Sequence, residues 1–344
     1  MVRIGVVTGK AVSLKTIGGD LAKVFRGLGH TATVYDKQIP YYDALNLFDR
    51  GLVFIPFDPT YALSYILLQR DYDVHGIKSV TYTTVEGYPI RQMVRNWIRR
   101  DGRFIAVSNY VRNILEQLDI PVLDVIHHGV DLNLVGMVKP DKNLMKRLTG
   151  GRVVFGVVAS SLERKGLNHL AEAIKICNDR IPEAGFYIYS EDKAGGYFAG
   201  LRNTYFDNRF GRLDRAGILR IIGGFDFYIC SSLCEGFGLP VLEAQALGVP
   251  VIYPQYEPLT EFTHPQANIG FPYLEVEERW TEYGIIFQYH RYDVNEMVEA
   301  IVKAYEIYTC SQDEYLKMCS TVREHARNFD IVKLYSRFRS HLDF

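Results

Sequence analysis

Short apolar runs alternate with amphipathic stretches along most of this chain. Residues 2–8, 31–35, 52–56, 79–83, 103–108 and 122–127 have the β-branched, apolar character of buried strands. Between them lie helical patterns. Residues 20–28 form one, entered through a loop at Gly18 and Gly19 and stopped by Gly29, and residues 109–118 form another. The pattern then restarts, with strands expected at 152–158, 185–190, 225–230 and 249–253. Helices are expected at 168–178, 213–222, 240–247 and 294–308, with helical material continuing to residue 344. Strands alternating with helices predict α/β units with parallel, doubly wound sheets. The restart predicts two of them, Rossmann-like domains facing across a cleft. The polar stretch 139–151, punctuated by Gly150 and Gly151, is the expected hinge, giving domains at 1–149 and 150–328. Ligands of open parallel sheets sit beyond the carboxyl ends of the strands.

Bulk properties narrow the class without naming a reaction. A length of 344 residues suits two domains, and 48% hydrophobic with 23% charged residues suits a soluble protein with sizeable cores. The net charge of -1 gives no reason to expect nucleic acid as a partner, although the first half is mildly basic and the second mildly acidic. The five cysteines are scattered and read as buried thiols of a reducing compartment. No apolar run is long enough to span a bilayer, and the first residues read as a strand rather than a signal peptide. A cytoplasmic location is expected, at most peripheral at a membrane. Arg91, Arg95 and Arg99 recur every four residues within 89–103, so a helix there would carry them on one face. Such a basic amphipathic helix could contact an anionic membrane; a solvated face above a core stripe is the alternative. His127 and His128 are adjacent on a strand and point opposite ways, which favours turn and packing roles over a metal pair.

The chemistry concentrates in residues 231–250, Ser-Ser-Leu-Cys-Glu-Gly-Phe-Gly-Leu-Pro-Val-Leu-Glu-Ala-Gln-Ala-Leu-Gly-Val-Pro. An apolar strand ends near Cys230 and delivers Glu235 to a loop. Gly236 and Gly238 let the backbone approach a ligand. Pro240 opens a helix, Gly248 ends it, and Glu243 lies about one turn in. A helix N-terminus suits a diphosphate. Two carboxylates with backbone donors between them form a plausible holder for a polyol joined to a phosphate.

This segment closely resembles the signature of the family 4 retaining glycosyltransferases, which have the GT-B fold. Further motifs extend the resemblance over most of the chain: Ile17-Gly-Gly-Asp-Leu-Ala-Lys, Val107-Ser-Asn-Tyr-Val, His128-Gly-Val-Asp131, Leu162-Glu-Arg-Lys-Gly-Leu167 and Gly211-Arg-Leu-Asp214. The resemblance implies a donor that is a UDP- or GDP-sugar, transfer with retention, and no cofactor or metal. It implies that Glu243 accepts from the ribose hydroxyls and that Glu235 holds sugar hydroxyls, helped by the amides of Gly236, Phe237 and Gly238, with Leu239 following. It gives Lys165 the diphosphate, with Gly19 approaching from the other domain, and sets Arg212 and Leu213 near the base. It also implies that residues 329–344 cross back onto the first domain.

Two positions depart from the family pattern. An Arg is usual five residues before Lys165, where this chain has Ser160; Arg164 is the candidate substitute. A His is usual after the strand at 79–83, where this chain offers Glu86, able to bind a sugar hydroxyl or deprotonate an acceptor. The departures keep open a non-catalytic protein that binds sugar nucleotides or glycans. A nicotinamide-dependent oxidoreductase is disfavoured, because Thr8-Gly-Lys-Ala-Val-Ser lacks the Gly-x-Gly-x-x-Gly fingerprint.

Overall fold

Two six-stranded parallel sheets form the framework of the computed structural model, which describes residues 1–282 and 284–344. Each sheet anchors one of two units. The first comprises residues 1–131, 278–288 and 329–344; the second comprises 132–277 and 289–328.

In the first unit the strands lie in the spatial order Thr31–Tyr35, Arg3–Val7, Arg50–Pro56, Lys78–Thr84, Phe104–Ala106, Val122–Val125. The four inner strands are buried through their centres, as parallel sheets flanked by helices require, while the edge strands Thr31–Tyr35 and Val122–Val125 are partly exposed. The helix Val12–Gly27 begins well before the expected residue 20, so Gly18 and Gly19 are helical rather than part of a loop. Packing overrides the local signal here. A β-carbon on Gly18 would come 2.6 Å from Thr8 Cγ2, so glycine serves the close approach of helix to strand. Gly19 is exposed, with open space around it.

The continuous basic helix expected over 89–103 does not form. The segment breaks into a short strand Gly87–Pro89, one turn Arg91–Met93 and a helix Asn96–Asp101. Arg91 donates to the carbonyl of Gln117 (2.6 Å) and Arg99 to that of Leu118 (2.8 Å). Both therefore satisfy the C-terminal end of the helix Asn109–Gln117 instead of lining a shared outer face. Arg95 precedes the short helix and is exposed.

The polar stretch before residue 151 is also ordered. Asp141 caps the helix Lys142–Thr149 by accepting from the Leu144 amide at 2.8 Å, and Gly150 ends it at φ +73°. Lys142 reaches the buried Asp226 at 2.9 Å, which ties this helix into the second unit. The division between units accordingly falls after Asp131. The final residues form the helices Ile331–Tyr335 and Phe338–Leu342, and they group with the first unit. There the Phe338 ring packs edge-on against Phe25 and Tyr82, and Arg50 donates to the carbonyl of Leu342 at 2.7 Å. His128 is buried, with Nδ1 2.9 Å from the Tyr82 hydroxyl. Burial and the neighbouring His127 push its pKa down to about 3, so it is a neutral packing residue. Among the described residues no cluster of His, Cys, Asp or Glu suits a metal ion, and no helix is long and apolar enough to cross a membrane.

The second sheet carries the order Thr204–Asp207, Ala184–Tyr189, Val153–Val158, Phe227–Ile229, Val251–Pro254, Ile269–Phe271. Phe155 stacks between Phe186 and Phe227 at its centre, with ring centroids 5.6 Å apart on each side. Counted along the unit, these strands run third, second, first, fourth, fifth, sixth. The direction of winding reverses between Val153–Val158 and Phe227–Ile229. A crevice at the carboxyl ends of those two strands is where such a sheet binds ligands.

Candidate donor site

Two loops leave the sheet at that reversal, one after Val158 and one after Ile229, and backbone contacts fasten them together. The Leu233 amide donates to the Arg164 carbonyl at 2.7 Å, and Ser231 Oγ donates to the Lys165 carbonyl at 2.8 Å. Gly166 makes this approach feasible. Its φ is +62°, and a β-carbon there would lie 2.1 Å from the Ser231 carbonyl oxygen. From outside, Tyr292 donates to the Ser231 carbonyl (2.6 Å) and Tyr256 to that of Ser232 (2.9 Å). Tyr256 itself stacks on His290 at 4.1 Å, and the His290 amide donates to the Leu233 carbonyl at 2.8 Å.

The fastening brings Arg164, Lys165 and Glu235 together. Lys165 Nζ lies 2.5 Å from Glu235 Oε1, and Arg164 Nη1 lies 3.8 Å from Glu235 Oε2. All three side chains are largely buried, Glu235 to 10% exposure. Burial alone would raise the Glu235 pKa. Lys165, then Arg164, outweigh it and hold the carboxyl below its ordinary value. The sign fixes a pH dependence. The charged pair is complete above the ordinary carboxylate range and is lost only as pH falls through the lower, folded-state pKa. Ligand affinity that depends on Glu235 should therefore stay level between about pH 7 and pH 5. Titration calorimetry at the two pH values checks this, and a tenfold loss traced to Glu235 at the lower pH would refute it.

Beyond Glu235 the loop stays buried to Gly238, whose φ of +96° opens the helix Leu239–Ala246. Pro240 sits in the first turn, where its missing N–H costs nothing. The Phe237 ring is a core element, stacked on Phe262 at 4.5 Å, so only its backbone is available to a ligand. A cavity of about 20 Å³ between the strand ends is bordered by Val158, Ala159, Lys165, Ser231, Glu235 and Pro240. That is room for one water.

Glu243 projects from the helix at 2% exposure and forms an ion pair with Arg215, a residue the sequence reading did not single out. Arg215 follows directly on Asp214, whose carboxylate caps the helix Arg215–Gly223 by accepting from the Gly217 amide at 2.7 Å. The neighbouring candidates are placed less centrally: Arg212 is exposed and Leu213 half-buried in the turn before that helix. Ser160 is half-buried; next to it, Ser161 bonds Glu191 through both its amide and its hydroxyl. Gly19 and Glu86 belong to the first unit, Glu86 half-buried just after the strand Lys78–Thr84. The support from Tyr256, His290 and Tyr292 also escaped the sequence reading, since dispersed aromatics carry no spacing signal.

Comparison with known proteins bears on this geometry. Structures similar over nearly the whole chain include a glycosyltransferase from Rickettsia africae ESF-5, with TM-score 0.71 and 15% identity over 99% of this chain and 98% of that one. Another is Anabaena HepE in complex with UDP, with TM-score 0.68 and 15% identity over all of both chains. The fold is GT-B. In this GT-B chain, residues 152–306 match the family model for glycosyl transferases group 1, a stretch that holds Arg164, Lys165, Arg215, Glu235 and Glu243. An uncharacterized glycosyltransferase of Sulfolobus islandicus rod-shaped virus 1 is 29% identical over 98% of this chain and 99% of its own length. A putative glycosyltransferase of Acidianus filamentous virus 2 is 28% identical over 35% of this chain. Together these similarities support a glycosyltransferase.

Proposed function

We propose that the chain is a retaining glycosyltransferase that moves a hexose from a UDP- or GDP-sugar to an acceptor. The observation that carries this reading is the buried Arg164–Lys165–Glu235 cluster at the point where the second sheet reverses its winding. Cleaving a glycosyl–phosphate bond releases a nucleoside diphosphate, whose charge needs fixed positive partners. Lys165 and Arg164 supply these, with Arg164 standing in for the arginine missing at Ser160, and the amides of Gly236 to Gly238 add neutral donors. Glu235 holds hydroxyls of the sugar and offsets positive charge developing on its ring. Glu243 accepts from the ribose. Attack occurs on the face the diphosphate leaves from, and the departing phosphate takes the acceptor's proton. From the first unit the reading takes Gly19 as a bare backbone near the diphosphate, and Glu86 as partner of a sugar hydroxyl or of the acceptor. The arginines at 91 and 99 have structural roles, so membrane contact is not part of it. Support comes from the UDP bound in the similar HepE structure and from a similar Escherichia coli protein bound with UDP-2-fluoro glucose.

A thermal-shift screen of UDP, GDP and their sugar conjugates tests the donor, because a ligand selective for the native state raises the melting point. We expect one nucleotide class to do so, and the matching sugar nucleotide to be cleaved or transferred. Glu235→Ala should abolish that turnover, and EDTA should spare it, since the two cations do the work a divalent ion would. Binding without turnover would leave a sugar-nucleotide-binding protein. No shift with any nucleotide would remove the donor site.

A further inference from the structure

We infer that Arg215 is a positioning residue that keeps the Glu243 carboxylate charged and aimed, and thereby sets how strongly the site discriminates a ribonucleotide from its deoxy counterpart. The inference rests on the donor reading above and adds a residue to it. Glu243 is the more deeply buried of the two acids, at 2% side-chain exposure against 10% for Glu235. A carboxylate removed that far from water needs a counter-charge or it takes up a proton. Lys165 and Arg164 are engaged with Glu235, and Glu243 makes an ion pair with the Arg215 guanidinium. Arg215 is itself constrained. It is the first residue of its helix, fixed there by the Asp214 cap, and this helix packs against the one that carries Glu243.

The chemistry follows from the inventory of donors and acceptors. A vicinal diol presents two O–H donors, and an ionised carboxylate is an acceptor that can take both. A protonated carboxyl offers a donor of its own and accepts more weakly, so it no longer tells a hydroxyl from a hydrogen with the same margin. Hydrogen bonds to a charged partner are the stronger class, and losing one corresponds to about tenfold to a hundredfold in affinity. Arg215 therefore acts through Glu243 without itself touching the diol. Its removal is felt in the preference for the hydroxyl more than in diphosphate binding.

The test is a binding cycle that deletes the guanidinium from the protein and the hydroxyl from the ligand. Dissociation constants of UDP, GDP and their 2′-deoxy and 3′-deoxy forms are measured by calorimetry for the wild-type chain, Arg215→Gln and Arg215→Lys. Circular dichroism confirms folding, and Arg215→Ala is added where it folds. The wild type should prefer the ribose form of its nucleotide by about tenfold or more. Arg215→Gln should bring that ratio to within about twofold of unity, while Arg215→Lys restores most of it. A merely structural role would weaken both ligands equally and leave the ratio unchanged, which would overturn the inference. Equal wild-type affinity for both forms would overturn it as well, by removing the contact between Glu243 and ribose. A wild type that binds neither UDP nor GDP would overturn the donor reading, and this inference with it.

Discussion

Lys165→Met should lower kcat/KM for sugar transfer by about a hundredfold to a thousandfold, the range for removing one fixed donor from a developing anion. The substitution keeps most of the side chain's length and apolar stem, so the loops should still close. What disappears is the charge 2.5 Å from Glu235 Oε1 and the positive partner for a leaving diphosphate. Arg164, at 3.8 Å from the other carboxylate oxygen, is left as the remaining counter-charge. Glu235 should then titrate higher than in the wild type, moving an acid limb of the pH–rate profile upward. Steady-state kinetics across pH, with folding checked by circular dichroism, measures both effects. A rate within about threefold of wild type would show that Lys165 serves Glu235 rather than the reaction.

Gly166→Val should reduce stability by about 3 kcal/mol or more, and should remove activity even where the chain still folds. Three costs fall on one position. A β-branched residue is strained at φ +62°; its β-carbon would overlap the Ser231 carbonyl oxygen; and the Tyr292 hydroxyl lies 3.0 Å from the same point. Relief requires the two loops to separate, which breaks the bonds from Leu233 to Arg164 and from Ser231 to Lys165 and carries Lys165 away from Glu235. Urea denaturation gives the stability change, and the nucleotide thermal shift on the surviving folded protein gives the loss of the site. A variant that binds nucleotide normally would contradict the role assigned to this contact.

Much of this architecture is legible in the sequence because buried parallel strands are written as apolar runs and their helices as amphipathic ones. The stretch 231–250 is legible for a different reason: Glu235, two glycines, Pro240 and Glu243 each satisfy a separate local rule at one place. Where the reading went astray, a local signal had two meanings. Gly18 and Gly19 look like loop punctuation, yet in the structure Gly18 thins the helix against Thr8. The arginine period at 91, 95 and 99 fits a helix face, but Arg91 and Arg99 are bound to carbonyls of Gln117 and Leu118 and the helix is broken. Arg215 could not be chosen over Arg212 from spacing, since only the fold sets which arginine reaches Glu243. The segment that holds Tyr256, His290 and Tyr292 acts through aromatic contacts at long sequence separation, and those leave no local trace.

The first unit is assembled from three separate stretches of chain. Residues 285–287 pair with Gly87–Pro89, and the closing helices bring Phe338 onto Phe25 and Tyr82. Residues 1–337 have therefore left the ribosome before the ring contacts of Phe338 in this unit become available. Any recombination event that exchanges only residues 1–131 would pair a new sheet with inherited 278–288 and 329–344 segments shaped for the old one, so these stretches must change in step.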